Sequence, residues 1–140
     1  MALVVAACSR LPVYSHYEHI DGDGWQRDDT ITFVTTIRDS ANYHLMLGLR
    51  ATNAYPYTQL TVNVSIACSS CGLLTSKPLT FDITDREGDM QGKGTTIRHY
   101  DMPLNDVVLS SSDTLTVSVH HVMKCFLLPG IIDVGLTVTK

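Results

Sequence analysis

Two cysteines separated by two residues, Cys68 and Cys71, form the pair whose spacing best suits chemistry in this 140-residue sequence. Thiolates at this spacing bind zinc or carry out redox reactions. A zinc site needs two more ligands, and a thioredoxin-like redox pair lies at the start of a helix in a βαβ unit, which this sequence does not indicate. Nothing in the spacing requires Cys125 and His120 or His121 to complete such a site. We therefore predict no metal and no cofactor. Two alternatives stay open: a loop disulfide among the three cysteines, or buried free thiols.

The other groups that could do chemistry have the wrong spacing for it. His16 and His19 would face one metal only on a helix, and they lie in a stretch that reads as extended. Asp28 and Asp29 are adjacent, so a strand directs them to opposite faces and they cannot work as an acid–base pair. The sequence has no Gly-x-Ser-x-Gly nucleophile motif. We predict that the protein is not an enzyme and has no catalytic residues.

Charge and composition exclude two further classes. The net charge is −4 and the sequence pI is about 5.8, so the basic surface of a nucleic-acid-binding protein is missing. No apolar run approaches the ~20 residues of a membrane-spanning helix. A hydrophobic content of 44% with 17% charged residues is typical of one globular domain of this length.

Alternation of apolar and polar residues with period two dominates the sequence and predicts half-buried strands. Six segments show it clearly, residues 30–37, 43–50, 59–66, 79–83, 114–120 and 132–139, and residues 95–104 show it weakly. Helix is limited to one turn at most, around residues 105–109. Because strands so close in sequence cannot be joined by helical crossovers, the pairing is antiparallel and two sheets must share one core. We predict an all-β, antiparallel, two-sheet β-sandwich, jelly-roll-like, with seven to eight strands.

The N-terminus carries a candidate lipid-attachment site. Val5-Ala6-Ala7-Cys8 looks like a bacterial lipobox, in which signal cleavage leaves the cysteine as the lipid-carrying N-terminal residue. We interpret residues 1–8 as the remnant of a lipoprotein signal peptide and residues 9–140 as a single β-sandwich domain. The alternative is a frayed N-terminus with a buried cysteine.

Four stretches of the sequence together point to a family. The first stretch contains Tyr14-Ser15-x-Tyr17, Gly24-Trp25 and residues 28–33, and the second contains Leu47-x-Leu49-Arg50 and Tyr55-Pro56-Tyr57. The third is Gly92-Lys93-Gly94, and the fourth is residues 122–136, which include Leu128-Pro129-Gly130. In this order they resemble the gliding-motility lipoprotein family GldH of Bacteroidetes.

The resemblance implies a non-enzymatic lipoprotein anchored in the outer membrane through Cys8, with its domain facing the periplasm. Its partners would be the membrane and other envelope proteins of the gliding-motility and associated secretion machinery. Trp25, Arg50, Tyr55 and Tyr57 form a possible interaction patch, because Tyr, Trp and Arg are enriched at interface hot spots. The same side chains could instead serve the core and the loops. The alternative function is a carbohydrate- or ligand-binding module that uses the aromatic residues as a stacking platform.

Overall fold

The computed structural model describes residues 11–140, and within that range the chain is all-β, with ten strands and no helix. The strands are β1 Tyr14–His19, β2 Trp25–Gln26, β3 Ile31–Thr36, β4 Ala41–Thr52, β5 Gln59–Cys68, β6 Gly72–Asp82, β7 Ile97–Leu109, β8 Thr114–His121, β9 Leu127–Leu128 and β10 Ile131–Thr139. All six clearly alternating segments are strands, as the sequence predicts. Because no helix is present, no segment of the described range could cross a membrane as one.

Two four-stranded antiparallel sheets make up the domain. The front sheet has the order β1-β10-β4-β7 and the back sheet the order β3-β8-β5-β6, while β2 and β9 form a separate two-stranded pair. Consecutive long strands repeatedly change sheet, and this order is that of a jelly roll. The expectation of an antiparallel, jelly-roll-like sandwich is confirmed, with eight long strands and two short ones.

The core lies between the two sheets and follows from the alternation. The alternating buried residues include Tyr43, Leu45, Leu47 and Leu49 on β4, Leu60, Val62, Val64 and Ile66 on β5, and Leu115, Val117 and Val119 on β8. These inward faces belong to one hydrophobic cluster that includes residues of both sheets. Burial of one face of each sheet stabilises the sandwich, since strands with one apolar face need a second such face.

The segment 105–109 is not a helical turn but the last part of β7. A bulge shifts the pairing of β7 with β4, so that His44 lies opposite Asp106 while Met46 lies opposite Pro103. The buried residues before and after the bulge, Leu104 and Val107, are therefore three apart rather than two. Because of this irregular spacing, the alternation of apolar and polar residues does not predict the last part of β7 as a strand.

The two ends of the sandwich carry different features. At the entry end the chain enters β1 beside residues 35–39, and Cys68 and Cys71 form a disulfide between β5 and β6. At the far end lie the segments 20–30, 53–58, 83–96 and 122–130, including Cys125, whose thiol is free. Of the two cysteine alternatives, the loop disulfide is the one present. The proposed signal remnant and Cys8 lie outside the described residues.

Candidate functional site

Trp25 is part of the core at the far end. Its side chain is 0% exposed, and its Nε1–H donates to the Asp29 carbonyl at 2.9 Å. The indole packs edge-on against His121, with ring centroids 5.3 Å apart. A side chain with no exposed surface cannot contact a partner, so Trp25 does not belong to a surface patch in this structure.

His121 is buried beside Trp25 and is internally hydrogen-bonded at both ring nitrogens. The Met123 N–H donates to Nδ1 at 3.2 Å, so the proton of the neutral ring is on Nε2, which donates to the Trp25 carbonyl at 3.0 Å. Burial lowers the pKa of His121 and favours this neutral form. Both nitrogens are used, and no group of three or more His, Cys, Asp or Glu side chains in residues 11–140 is arranged to hold a metal ion.

Tyr55 and Tyr57 have different environments although they are two residues apart. Tyr55 is only 6% exposed, and its hydroxyl donates to the Gln59 carbonyl at 2.8 Å, which ties down the β4–β5 loop. Gly130 lies so close to the Tyr55 backbone that a Cβ there would overlap it. Burial raises the pKa of Tyr55. Tyr57 is 41% exposed and packs edge-on against Tyr55, so it alone of the pair presents its ring to solvent.

Tyr57 is one of five apolar residues in the far-end segments that we group as the far-end patch: Tyr57, Val122, Met123, Phe126 and Leu127. Four of its members are large apolar side chains that are 41–51% exposed, and Met123 packs partly on the core. A hollow of about 440 Å³ lies between Tyr57 and the segment 122–124. Interaction with the neighbouring Cys125 thiol raises the pKa of Tyr57. Apolar side chains gathered at one end of a domain are typical of a protein contact surface.

Arg50 lies elsewhere, on the outer face of the front sheet. Its guanidinium is stacked over the ring of Tyr17, 4.1 Å from the ring centroid, and its Nη1 donates to Asp133 at 3.4 Å. This stacking is a cation–π interaction, which is worth about 0.5–1 kcal/mol at exposed sites. Asp133 also accepts a hydrogen bond from His19 at 3.0 Å, so the carboxylate joins β1 to β4.

The Tyr17 ring lies flat across the front sheet because two glycines leave room for it. Gly135 on β10 faces Tyr17 on one side and Gly48 on the other. A Cβ at Gly135 would overlap the tyrosine ring, and one at Gly48 would overlap its hydroxyl. Glycine inside a strand often marks such a close approach. The side chain therefore crosses β10 and β4 and reaches the far edge of the sheet.

The Tyr17 hydroxyl ends beside His99 on β7. His99 Nε2 is 3.1 Å from the hydroxyl and 2.9 Å from Asp101 Oδ1. Because a carboxylate only accepts, the Nε2–H donates to Asp101 and is shared with the tyrosine oxygen. Partial burial, followed by the nearby Asp101 carboxylate, raises the pKa of Tyr17, so its hydroxyl stays protonated at neutral pH. One side chain of β1 thus contacts every other strand of its sheet.

The four residues predicted as one patch therefore occupy three places. Trp25 is in the core, Tyr55 and Tyr57 are at the far end, and Arg50 is on the front sheet. Sequence reasoning missed Tyr17 as the partner of Arg50, although Gly48 and Gly135, both at outward positions of strands, were the available signal. Both faces of the Tyr17 ring are covered, by glycines below and Arg50 above, so it offers no stacking platform for a sugar.

Comparison with protein families identifies one relationship over nearly the whole described chain. A model described as GldH lipoprotein matches residues 12–138. The gliding motility lipoprotein GldH of Flavobacterium johnsoniae is 29% identical over 96 residues, which cover 68% of this chain and 59% of that protein. The chain therefore spans less than two thirds of the length of this curated relative.

Two solved structures are similar to this chain at low sequence identity. The CBM36-1 domain of a multidomain xylanase from the hindgut metagenome of Trinervitermes trinervoides is 9% identical with a TM-score of 0.45, covering 91% of this chain and 90% of that one. A non-crystalline cellulose specific carbohydrate-binding module, CBM28, is 10% identical with a TM-score of 0.45, covering 89% and 71%. Both TM-scores are below 0.5, so neither likeness carries an argument about this chain.

Proposed function

Because this chain belongs to the GldH lipoprotein family, we propose that it is a lipid-anchored envelope protein that acts by protein contacts in the gliding-motility and associated secretion machinery. The role is non-enzymatic. The family membership supports a lipoprotein of the gliding machinery, and the relative from Flavobacterium johnsoniae carries that name. The outer membrane is the proposed site of the anchor, and the domain is proposed to face the periplasm.

The anchor is proposed at Cys8, the last residue of the Val5-Ala6-Ala7-Cys8 lipobox. Few residues separate it from Val13, whose N–H donates to the Val138 carbonyl at 2.8 Å and begins the pairing of β1 with β10. A protein held at Cys8 is thus tethered at the entry end of the sandwich. Firm attachment needs the several acyl chains of a bacterial lipoprotein, because one chain binds a membrane only marginally.

The far-end patch is the observation that carries the proposed protein contacts. Its exposed ring and aliphatic side chains lie at the opposite end of the strands from the tether, where a bound membrane does not cover them. Tyr57 has the chemistry of a hot-spot residue, with a large rigid ring and a polar tip. Among the residues named at the outset, Tyr57 is the member of the patch that can reach a partner. The carbohydrate-binding alternative is not favoured, because Trp25 and Tyr55 are buried.

The anchor is tested by labelling cells with a fatty acid. The unchanged protein should incorporate the label and sediment with membranes, whereas Cys8→Ser should lose both properties. Cys125→Ser is the matched control, since it removes a free thiol that is not in a lipobox and should leave the label unchanged. Label that remains on Cys8→Ser would contradict the proposed attachment site.

The contact surface is tested separately, in a protein that keeps its anchor. Tyr57→Ser combined with Phe126→Ser should abolish crosslinking to other envelope proteins in the cells that make this protein. Val108→Ser is the control, because Val108 is an apolar side chain that is 80% exposed on β7, away from the patch. The melting temperature of both variants should stay within a few degrees of the parent. Unchanged crosslinking in the double variant would contradict the proposed role of the far-end patch.

A further inference from the structure

Three of the four edge strands of the two sheets carry features that prevent further pairing. An exposed edge presents free backbone N–H and C=O groups, and proteins block it with charges, prolines or bulges. On β1 the edge carries His16, Glu18 and His19; on β7 it carries Pro103 and the bulge; on β6 it carries Lys77 and Pro78. None of these strands is a good template for another strand.

The fourth edge, β3, has none of these features. Its sequence, ITFVTT, has no charge and no proline, and all six residues pair with β8 in unbroken register. In the described part of the chain no strand is bonded to its other side. The outward residues Thr32, Val34 and Thr36 are exposed, with Val34 at 55%. Five of the six residues are β-branched, the class that most favours pairing.

The space beside β3 is open at both ends of the strand. A hollow of about 400 Å³ lies between the end of β1 and residues 29–32, and a smaller one of about 120 Å³ lies between Val13 and residues 35–39. An added strand would lie along β3 between these hollows. The edge is therefore accessible at both ends of the strand.

The charges at the two ends of β3 are opposite in sign. Asp28 and Asp29 precede the strand, and Glu18 and Asp21 line the hollow at that end. Arg38 follows the strand, close to Asp39 and Lys140, which pair with each other at 2.8 Å. A second copy laid antiparallel would bring the acidic end of each strand to the basic end of the other. The edge is thus complementary to itself.

We propose that β3 pairs antiparallel with β3 of a second copy of this chain about a two-fold axis. The two back sheets then form one continuous eight-stranded sheet. A register centred on Val34 places that residue opposite its own copy and places Thr32 opposite Thr36. β-branched and Thr–Thr pairs across antiparallel strands are favourable. A two-fold interface uses the same surface on both subunits, as this edge does. The proposal does not depend on the lipid anchor or on the gliding role.

The oligomeric state of the unacylated full-length chain, followed by sedimentation velocity over a range of concentrations, tests the pairing. The chain should dimerise reversibly, and Val34→Lys should raise the dimer dissociation constant by at least ~10-fold. Val108→Lys is the control, since it places the same charge on an apolar, highly exposed position of β7. Circular dichroism checks that both variants fold. A parent that is monomeric throughout, or a dimer unaffected by Val34→Lys, would overturn the proposal.

The register is tested by cysteine crosslinking in a background that lacks Cys8 and Cys125. Directly opposed residues in antiparallel strands have Cα atoms about 4.5–5.5 Å apart, within the range of a disulfide. Val34→Cys should crosslink to itself, whereas Thr32→Cys should crosslink efficiently only when mixed with Thr36→Cys. In this register Arg38 lies diagonal to Asp28 of the other copy, on the same face, so Arg38→Asp alone should weaken dimerisation, and adding Asp28→Arg to the same chain should restore it. Crosslinking at Val108→Cys instead, or no restoration by the charge exchange, would contradict the pairing.

Discussion

Strands β1 and β3 are the edge strands on the same side of the sandwich, but their edges differ in charge and regularity. They are close enough for His16 of β1 to contact Phe33 of β3, with ring centroids 6.4 Å apart. The β1 edge is charged, and its Tyr17 is bound across the sheet as far as His99. The β3 edge is uncharged and regular. The difference teaches that two edges on the same side of one sandwich can be protected to different degrees: the side chains of β1 block further pairing, whereas those of β3 leave its edge open to a partner strand.

The largest effect is expected from the two faces of β3. Phe33 is 2% exposed whereas the adjacent Val34 faces solvent. Phe33→Ala should lower the free energy of unfolding by about 3–5 kcal/mol through lost burial and a cavity. Val34→Ala should change it by less than ~0.5 kcal/mol when measured by urea denaturation at a concentration where the chain is monomeric. Equal losses at the two positions would mean that Val34 is not at a free edge.

A medium effect is expected where the β1 side chain crosses the sheet. Gly135→Ala should displace the Tyr17 ring and lower the free energy of unfolding by about 1–3 kcal/mol. In a Tyr17→Ala background the same substitution should cost much less, because the ring is no longer there to be displaced. Thr137→Ala, at the next outward position of β10, is the control. A cost that is equal in both backgrounds would show that the glycine is needed for another reason.

The smallest effect on the free energy of unfolding is expected from the hydroxyl group of Tyr17. Tyr17→Phe keeps the ring over the glycines and removes only the hydroxyl beside His99, so the loss should be about 0.5–1.5 kcal/mol. Tyr14→Phe, also on β1, is the matched control. Thermal and urea denaturation of the two variants measure the difference. If the Tyr17 variant is as stable as its control, the ring alone holds β1 and the hydroxyl contributes nothing.

The sequence predicts most of the fold because alternation is a local property of each strand. It does not predict which strands become edges, since pairing joins residues far apart in the chain. Tyr17 and His99, for example, are 82 positions apart. The second half of β7 escaped prediction because a bulge changes the spacing of its buried residues.

The candidate site was predicted only in part, and for the same physical reason. Tyr55 and Tyr57 are neighbours in sequence and remain neighbours in space. Arg50 is nearly as close in sequence, but it occupies an outward position on β4 and meets Tyr17 from β1 instead. Trp25 has an amphipathic ring suited to either a core or a surface, and the carbonyl of Asp29 and the ring of His121 place it in the core.

The crossing of the front sheet by Tyr17 has a mechanical consequence. A tether on the N-terminal side pulls first on Val13 and β1, and a force across the sheet would peel the β1–β10 hydrogen bonds apart one at a time. Peeling that reaches Tyr17 must also break the contacts of its side chain with β10, β4 and β7. Tension is then shared by the whole sheet. The Tyr17 side chain therefore resists separation of β1 from β10 at the middle of the strand.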